Sequence, residues 1–316
     1  MAVPSNTLQT YQSTNNAENV TEIVMNIDPV ETPLLTMAKK TTAEATYTQW
    51  PIESLSAVDT NNANIEGDDA TIDASATPVL VGNYTQLMDK TASVTTTQEA
   101  IKRYGVKNEM AKQMAKKAKE LKRDIETTMF LNQGRVIGAA GTAQKMRSLP
   151  AWLTTNVSRG ATGANGSATT AATDGTQRAF TEALFRAVVV TAITNADELP
   201  GVVMAGPANR ANLSTQLSGN STRFYELKDG QLNASVSVYR SDYGPLKFVM
   251  NRFQRERDMF FVNPDYIAIR TLEPMQTQDL ATTGLTKKKQ LWTNFTLEVS
   301  NEKAHAVLAD LNVAVI

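Results

Sequence analysis

The sequence predicts an α+β protein whose elements follow one another in blocks, and three observations carry that reading. Two stretches rich in β-formers, 46–55 and 77–94, precede a long amphipathic helical pattern at 98–132. The remainder mixes short helices and strands without the regular alternation that builds a doubly wound sheet. No internal repeat is visible.

Residues 1–45 are polar and rich in Thr and Asn. Their spaced apolar residues (Val20, Ile23, Val24, Ile27, Leu34, Leu35) are too few for a core of their own, so this reads as an arm that lies on another surface. The stretches 46–55 and 77–94, separated by an acidic, Asn-rich segment at 59–73, predict a long hairpin. Its apolar residues, among them Trp50, Ile52, Val79, Leu80 and Leu87, are sparse, and a free two-stranded hairpin is marginal in water. It therefore needs a partner surface.

Across 98–132, Met110, Met114, Ala118, Leu121, Ile125 and Met129 recur at intervals of three and four, which predicts one helix about 50 Å long at 1.5 Å per residue. Residues 138–176 are dominated by Gly, Ala, Thr, Ser and Asn and predict a loop or insertion anchored at 149–153. Thr181 reads as an N-cap, with Phe180 and Phe185 as a hydrophobic staple over a second helix. A buried strand at 201–205, a helix at 207–217, and strands at 236–239, 246–250, 259–262, 266–272 and 291–299 complete the pattern.

Composition narrows function by exclusion. Of the 316 residues 41% are hydrophobic and 20% charged, the balance of a folded soluble chain. No apolar run approaches the ~20 residues that cross a bilayer, and residues 1–10 do not read as a secretory signal, so synthesis in a cytoplasm is expected. The absence of Cys excludes disulfides and thiolate chemistry. His305 is the only histidine, which rules out multi-histidine metal sites and leaves a structural role as its expected one. The Glu66, Asp68, Asp69, Asp73 cluster lacks calcium-loop spacing, Lys287 to Lys289 make a weak basic patch, and no phosphate loop is present. Neither a catalytic site nor a cofactor nor a metal is expected.

The net charge of −1 conceals segregation. The region before Gln98 is strongly acidic, whereas Lys112, Lys116, Lys119 and Arg123 mark a basic face on the long helix.

Several motifs then carry a resemblance. Gly82 to Lys90, Ser93-Val94-Thr95, Tyr104-Gly105, Glu109-Met110, Gln113-Met114 and Glu120 to Glu126 resemble a phage-type family of major capsid proteins once catalogued as a domain of unknown function. The likeness resumes at Gly201 to Pro207, Tyr243 to Leu246, Leu272 to Thr277 and Leu280 to Gly284, and closes with Lys289-Gln290, Thr296 to Val299 and Asn301 to Ala306. It implies the Hong Kong 97-type capsid fold: an N-terminal arm (1–45), an E-loop hairpin (46–97), a P-domain with spine helix and loop (98–180), mainly A-domain (181–272), and return strands of the P-domain (273–316).

The resemblance further implies a subunit that assembles with copies of itself, as hexamers and pentamers, into an icosahedral shell enclosing the double-stranded DNA of a tailed phage. Portal, scaffold and decoration proteins are the expected partners, DNA contact is non-specific, no membrane is involved, and the shell is assembled in the host cytoplasm and ends as the virion capsid. Contacts between subunits are expected at Trp50 and between the acids Glu66, Asp68, Asp69 and Asp73 and the bases Lys112, Lys116, Lys119 and Arg123. The alternatives are an encapsulin-like compartment, another virion protein such as a tail-tube subunit, and, last, a carboxylate-based hydrolase.

Overall fold

The computed structural model describes residues 31–56, 58–67, 69, 77–101, 108–196, 198–219, 238–282 and 284–313. The elements in chain order are α1 (Pro33–Met37), β1 (Lys39–Thr42), β2 (Tyr47–Ile52), β3 (Val79–Tyr84), β4 (Gln86–Thr95), α2 (Thr96–Ala100), α3 (Glu109–Phe130), α4 (Leu149–Trp152), β5 (Val157–Ser158), α5 (Glu182–Ala196), β6 (Val202–Ala205), α6 (Pro207–Gly219), β7 (Val238–Ser241), β8 (Gly244–Met250), β9 (Met259–Val262), β10 (Ile267–Asp279), β11 (Thr286–Val299) and β12 (Ala306–Leu308).

Two sheets form the body and a third, two-stranded one projects from it. The four-stranded sheet runs β1-β10-β11-β4, the six-stranded sheet β5-β12-β9-β6-β8-β7, and among the described residues β2 pairs only with β3. Strands β6 and β9, Val202-Val203-Met204-Ala205 and Met259-Phe260-Phe261-Val262, are buried at every position because both faces of their sheet are covered. Alternation sorts their side chains: Val202, Met204, Phe260 and Val262 face the core beneath α3, while Val203, Ala205, Met259 and Phe261 face the core beneath α5. Phe130 at the end of α3 meets Phe260 with ring centroids 5.1 Å apart.

The staple predicted at the start of α5 is present: the rings of Phe180 and Phe185 lie 6.3 Å apart, edge to face. The long helix differs from its prediction. Ile101 is extended (φ −75, ψ 134) after α2, and a new helix starts where the Asn108 side chain accepts the Ala111 N–H at 2.9 Å. At 22 residues, α3 is about 33 Å long instead of 50 Å.

The hairpin also differs. Only β3 returns along β2, in register from Tyr47 opposite Tyr84 to Ile52 opposite Val79. At Thr85 the chain leaves the hairpin, and β4 pairs antiparallel with β11 in the body. Asn83 holds this exit: it is fully buried, donates to the carbonyls of Arg147 and Leu297 at 3.0 and 2.8 Å, and accepts the Arg147 N–H at 2.7 Å. Strand β10 crosses the boundary expected at 272/273, and β12 returns to the six-stranded sheet.

Candidate assembly surfaces

The hairpin is rooted in the body and bare at its far end. Trp50, expected at a contact between subunits, instead belongs to the chain's own core: it is 5% exposed, donates its indole N–H to the Val299 carbonyl at 3.2 Å, and lies 5.6 Å from the ring of Trp152. Arg135 clamps the root from the side, donating to the Tyr47 hydroxyl and the Gly82 carbonyl at 2.9 and 3.0 Å. Beyond that root Leu55, Val58, Ile65, Val79 and Leu80 are between 63% and 98% exposed. These five apolar side chains share one ribbon, the kind of exposed apolar surface that a partner can cover.

Of the expected acids, Glu66 and Asp69 lie exposed in the segment joining β2 to β3, while Asp68 and Asp73 fall outside the described residues. On α3, Lys112, Lys116 and Lys119 are exposed at spacings of four and three, hence on one face. None of these three lysines forms a salt bridge among the described residues, whereas Lys117 and Lys90 are paired with Glu120 and Asp124 at 2.7 and 2.6 Å. Arg123 is half-buried, its guanidinium 5.4 Å from the centre of the Phe253 ring.

The expected N-terminal arm is in part docked on its own chain. β1 pairs in parallel with β10, Lys39 opposite Ala268 through Thr42 opposite Thr271. Glu126 on α3 holds α1 in place: its two oxygens accept the N–H groups of Leu34 and Leu35 at 2.9 Å each, and Asn251 donates to it at 2.7 Å. The carboxylate is fully buried, and desolvation raises its pKa against the lowering effect of those hydrogen bonds. The helical period hid this residue. Its signal is Phe130, four positions on and also buried, which shows that the buried stripe widens toward the end of α3.

The Gly- and Thr-rich segment 138–176 is a folded loop held by two carboxylates, Asp310 buried and Glu302 half-buried. Asp310 is fully buried and accepts the N–H groups of Gly160 and Gly175 at 3.0 Å each and the Arg257 guanidinium at 2.6 Å. Glu302 accepts the N–H groups of Thr154 and Thr155 at 2.6 Å each. The glycines serve close approach, since a Cβ on Gly160 would stand 2.0 Å from the Thr176 carbonyl oxygen. Asp258, beside Arg255 at 3.1 Å, is pushed by burial up to about 6. His305 is fully buried, accepts the Asn263 N–H at 3.2 Å, and is held by desolvation down to about 4, so it is neutral at pH 7.

Among the described residues, no group of His, Cys, Asp and Glu could hold a metal ion, and no helix is long and apolar enough to cross a membrane.

The SU10 major capsid protein family matches the chain over residues 4–312. A major capsid protein of Escherichia phage Phieco32 is 34% identical over 109 residues, 34% of this chain; the match spans 31% of that relative's length. Among solved structures, the cyanophage A-1(L) capsid asymmetric unit superposes with a TM-score of 0.66 at 13% identity, over 96% of this chain and 99% of the other. The holo-SrpI encapsulin complex from Synechococcus elongatus PCC 7942 superposes at 0.58 and 10% identity, over 95% and 93%. At such identities these likenesses establish the fold, which is the Hong Kong 97-type capsid fold.

Proposed function

From the premise that this chain belongs to the SU10 major capsid protein family, we propose that it is a shell subunit working by association with its own copies and without catalysis. Repeated around local five-fold and six-fold axes, the subunits close an icosahedral shell around the double-stranded DNA of a tailed phage. Assembly takes place in the host cytoplasm, with portal and scaffold proteins and a decoration protein as further partners. DNA is enclosed with non-specific contact only.

One observation carries this reading: the hairpin is locked into the body by Trp50 and Arg135, yet its far end exposes Leu55, Val58 and Ile65 to solvent. A rigid root with an apolar, uncovered end is suited to lie across a neighbour, where burial is worth ~25 cal/mol per Å² of apolar surface. The hairpin acids Glu66, Asp68, Asp69 and Asp73 pair with the α3 face of Lys112, Lys116, Lys119 and Arg123 on an adjacent subunit. The three exposed lysines, which have no salt bridge among the described residues, support that pairing.

Electron microscopy of the expressed protein, alone and with a scaffold protein, tests the proposal. Closed shells are expected, and reversal of the four acids lowers their yield more at low salt than at high salt, because exposed pairs are screened over ~8 Å at physiological ionic strength. Helical tubes, or a chain that stays solitary at high concentration, refute the shell reading. The encapsulin likeness concerns the fold alone; a shell that retains a host enzyme instead of DNA favours that use.

A further inference from the structure

Residues 82–86 carry the chain from the hairpin into the body, and the loop 133–147 meets them almost residue by residue. The Arg135 guanidinium donates to the Gly82 carbonyl at 3.0 Å, and Asn83 exchanges bonds with the Arg147 backbone at 3.0 and 2.7 Å. The Gln144 amide donates to the Thr85 carbonyl at 2.8 Å. The Gln86 side-chain oxygen accepts from the Gln133 amide at 3.1 Å and from the Met146 N–H at 3.2 Å. We propose that this loop is a bracket that sets the direction in which the hairpin leaves the subunit, with Gln86 and Gln144 as its positioning residues.

The loop is stiff enough for that role. Val136 pairs with Lys145 and Ala139 with Thr142, which makes it a small hairpin in its own right. Its base is tied to the next loop, where Asn132 accepts the Ala172 N–H at 2.8 Å and the Arg135 N–H donates to the Ala168 carbonyl at 2.9 Å. The β2–β3 ribbon, in contrast, meets β11 only through side chains among the hydrogen bonds described: Trp50 to Val299, Asn83 to Leu297, and the Thr296 hydroxyl to the Tyr84 carbonyl at 2.9 Å. These contacts and the core around Trp50 fix where the root sits, and the bonds from the loop remove the remaining rotation about it. Leverage makes that rotation matter: from Tyr47 to Ile52 the ribbon is about 17 Å long, so a turn of about 10° at the root moves its end by about 3 Å. In a shell this direction decides where the apolar end meets its neighbour, a consequence that rests on the capsid reading. The bracket itself belongs to the single chain, so it can fail while that reading stands.

The chain has no cysteine, so Leu55→Cys beyond β2 and Val190→Cys on α5, both at exposed positions, take spin labels at two defined places. Double electron–electron resonance reads the distance between them in full-length subunits diluted with unlabelled chain, so that only distances within one chain count. Gln86 and Gln144 are half-buried and outside the apolar core, so Gln86→Ala combined with Gln144→Ala leaves that core intact. This double variant is expected to shift or broaden the distance distribution by about 3 Å, the displacement of a small turn at the root. Gln86→Glu keeps the accepting oxygen and should keep the unaltered distribution. Leu213→Ala, which removes a buried side chain of α6 away from the root, should lower stability and leave the distance unchanged. An unaltered distribution in the double variant overturns the proposal, because the core around Trp50 would then orient the hairpin by itself. So does an equal change in Leu213→Ala, which would make the effect one of stability, or in Gln86→Glu, which would deny the accepting oxygen its part.

Discussion

Replacing Glu126 with Ala should release the docked segment 33–42 while leaving the rest of the subunit folded. Three donors converge on this carboxylate, the N–H groups of Leu34 and Leu35 at 2.9 Å and the Asn251 amide at 2.7 Å, all at a position without solvent access. Leaving one such group unsatisfied costs about 1–3 kcal/mol. The cost of three does not accumulate, because α1 can detach and hydrate its two N–H groups, and the loss stops at the free energy of that local opening. Burial penalises the charge itself, as the raised pKa records, which offsets part of the gain from the hydrogen bonds. The expected net effect is about 2 kcal/mol on docking, close to thirtyfold in the opening equilibrium.

Native-state hydrogen exchange reads that change at the Leu34 and Leu35 amides and along β1, and trypsin reads it at Lys39 and Lys40. Glu126→Gln should fall between wild type and Ala, since its amide retains one acceptor but turns an N–H toward a backbone N–H. Wild-type exchange at Leu34 and Leu35 in the Ala variant would refute the reasoning, because those amides would then owe their protection to something other than the carboxylate.

Trp50→Ala should lower stability by about 3–5 kcal/mol, measured by chemical denaturation, because a buried ring and its bond to Val299 are lost; Leu55→Ala, at 98% exposure, should leave subunit stability within about 0.5 kcal/mol and reduce assembly instead. Gly160→Ala should cost about 1–3 kcal/mol in the same assay, since its Cβ would overlap the Thr176 carbonyl and force the loop off Asp310. His305 titrates near 4 in the folded chain against 6.5 unfolded, so its contribution is complete above pH 6.5 and is lost as pH falls toward 4, at most roughly 3 kcal/mol. Asp258, raised to about 6 from 3.8, acts in the opposite sense over the same window, so the quantity to measure is the difference in stability between wild type and His305→Asn from pH 7 to pH 4. A flat difference would contradict the buried neutral imidazole.

Local pattern alone determined much of the molecule: the apolar runs at β6 and β9, the staple of Phe180 on Phe185, the stripe on α3, and the separation of an acidic front from a basic helix face. These are properties of residues within a few positions of one another, and period and charge record them directly. The tertiary structure decided where the β-forming stretch 77–94 divides between hairpin and body, because both halves suit a strand and only Asn83, bonded to Arg147 and Leu297, distinguishes them. It also decided that Trp50 serves the subunit's own core and that Glu126, Asp310 and Glu302 hold segments far away in sequence. A buried carboxylate is worth keeping only where several donors converge on it, and those donors come from parts of the chain that folding alone brings together.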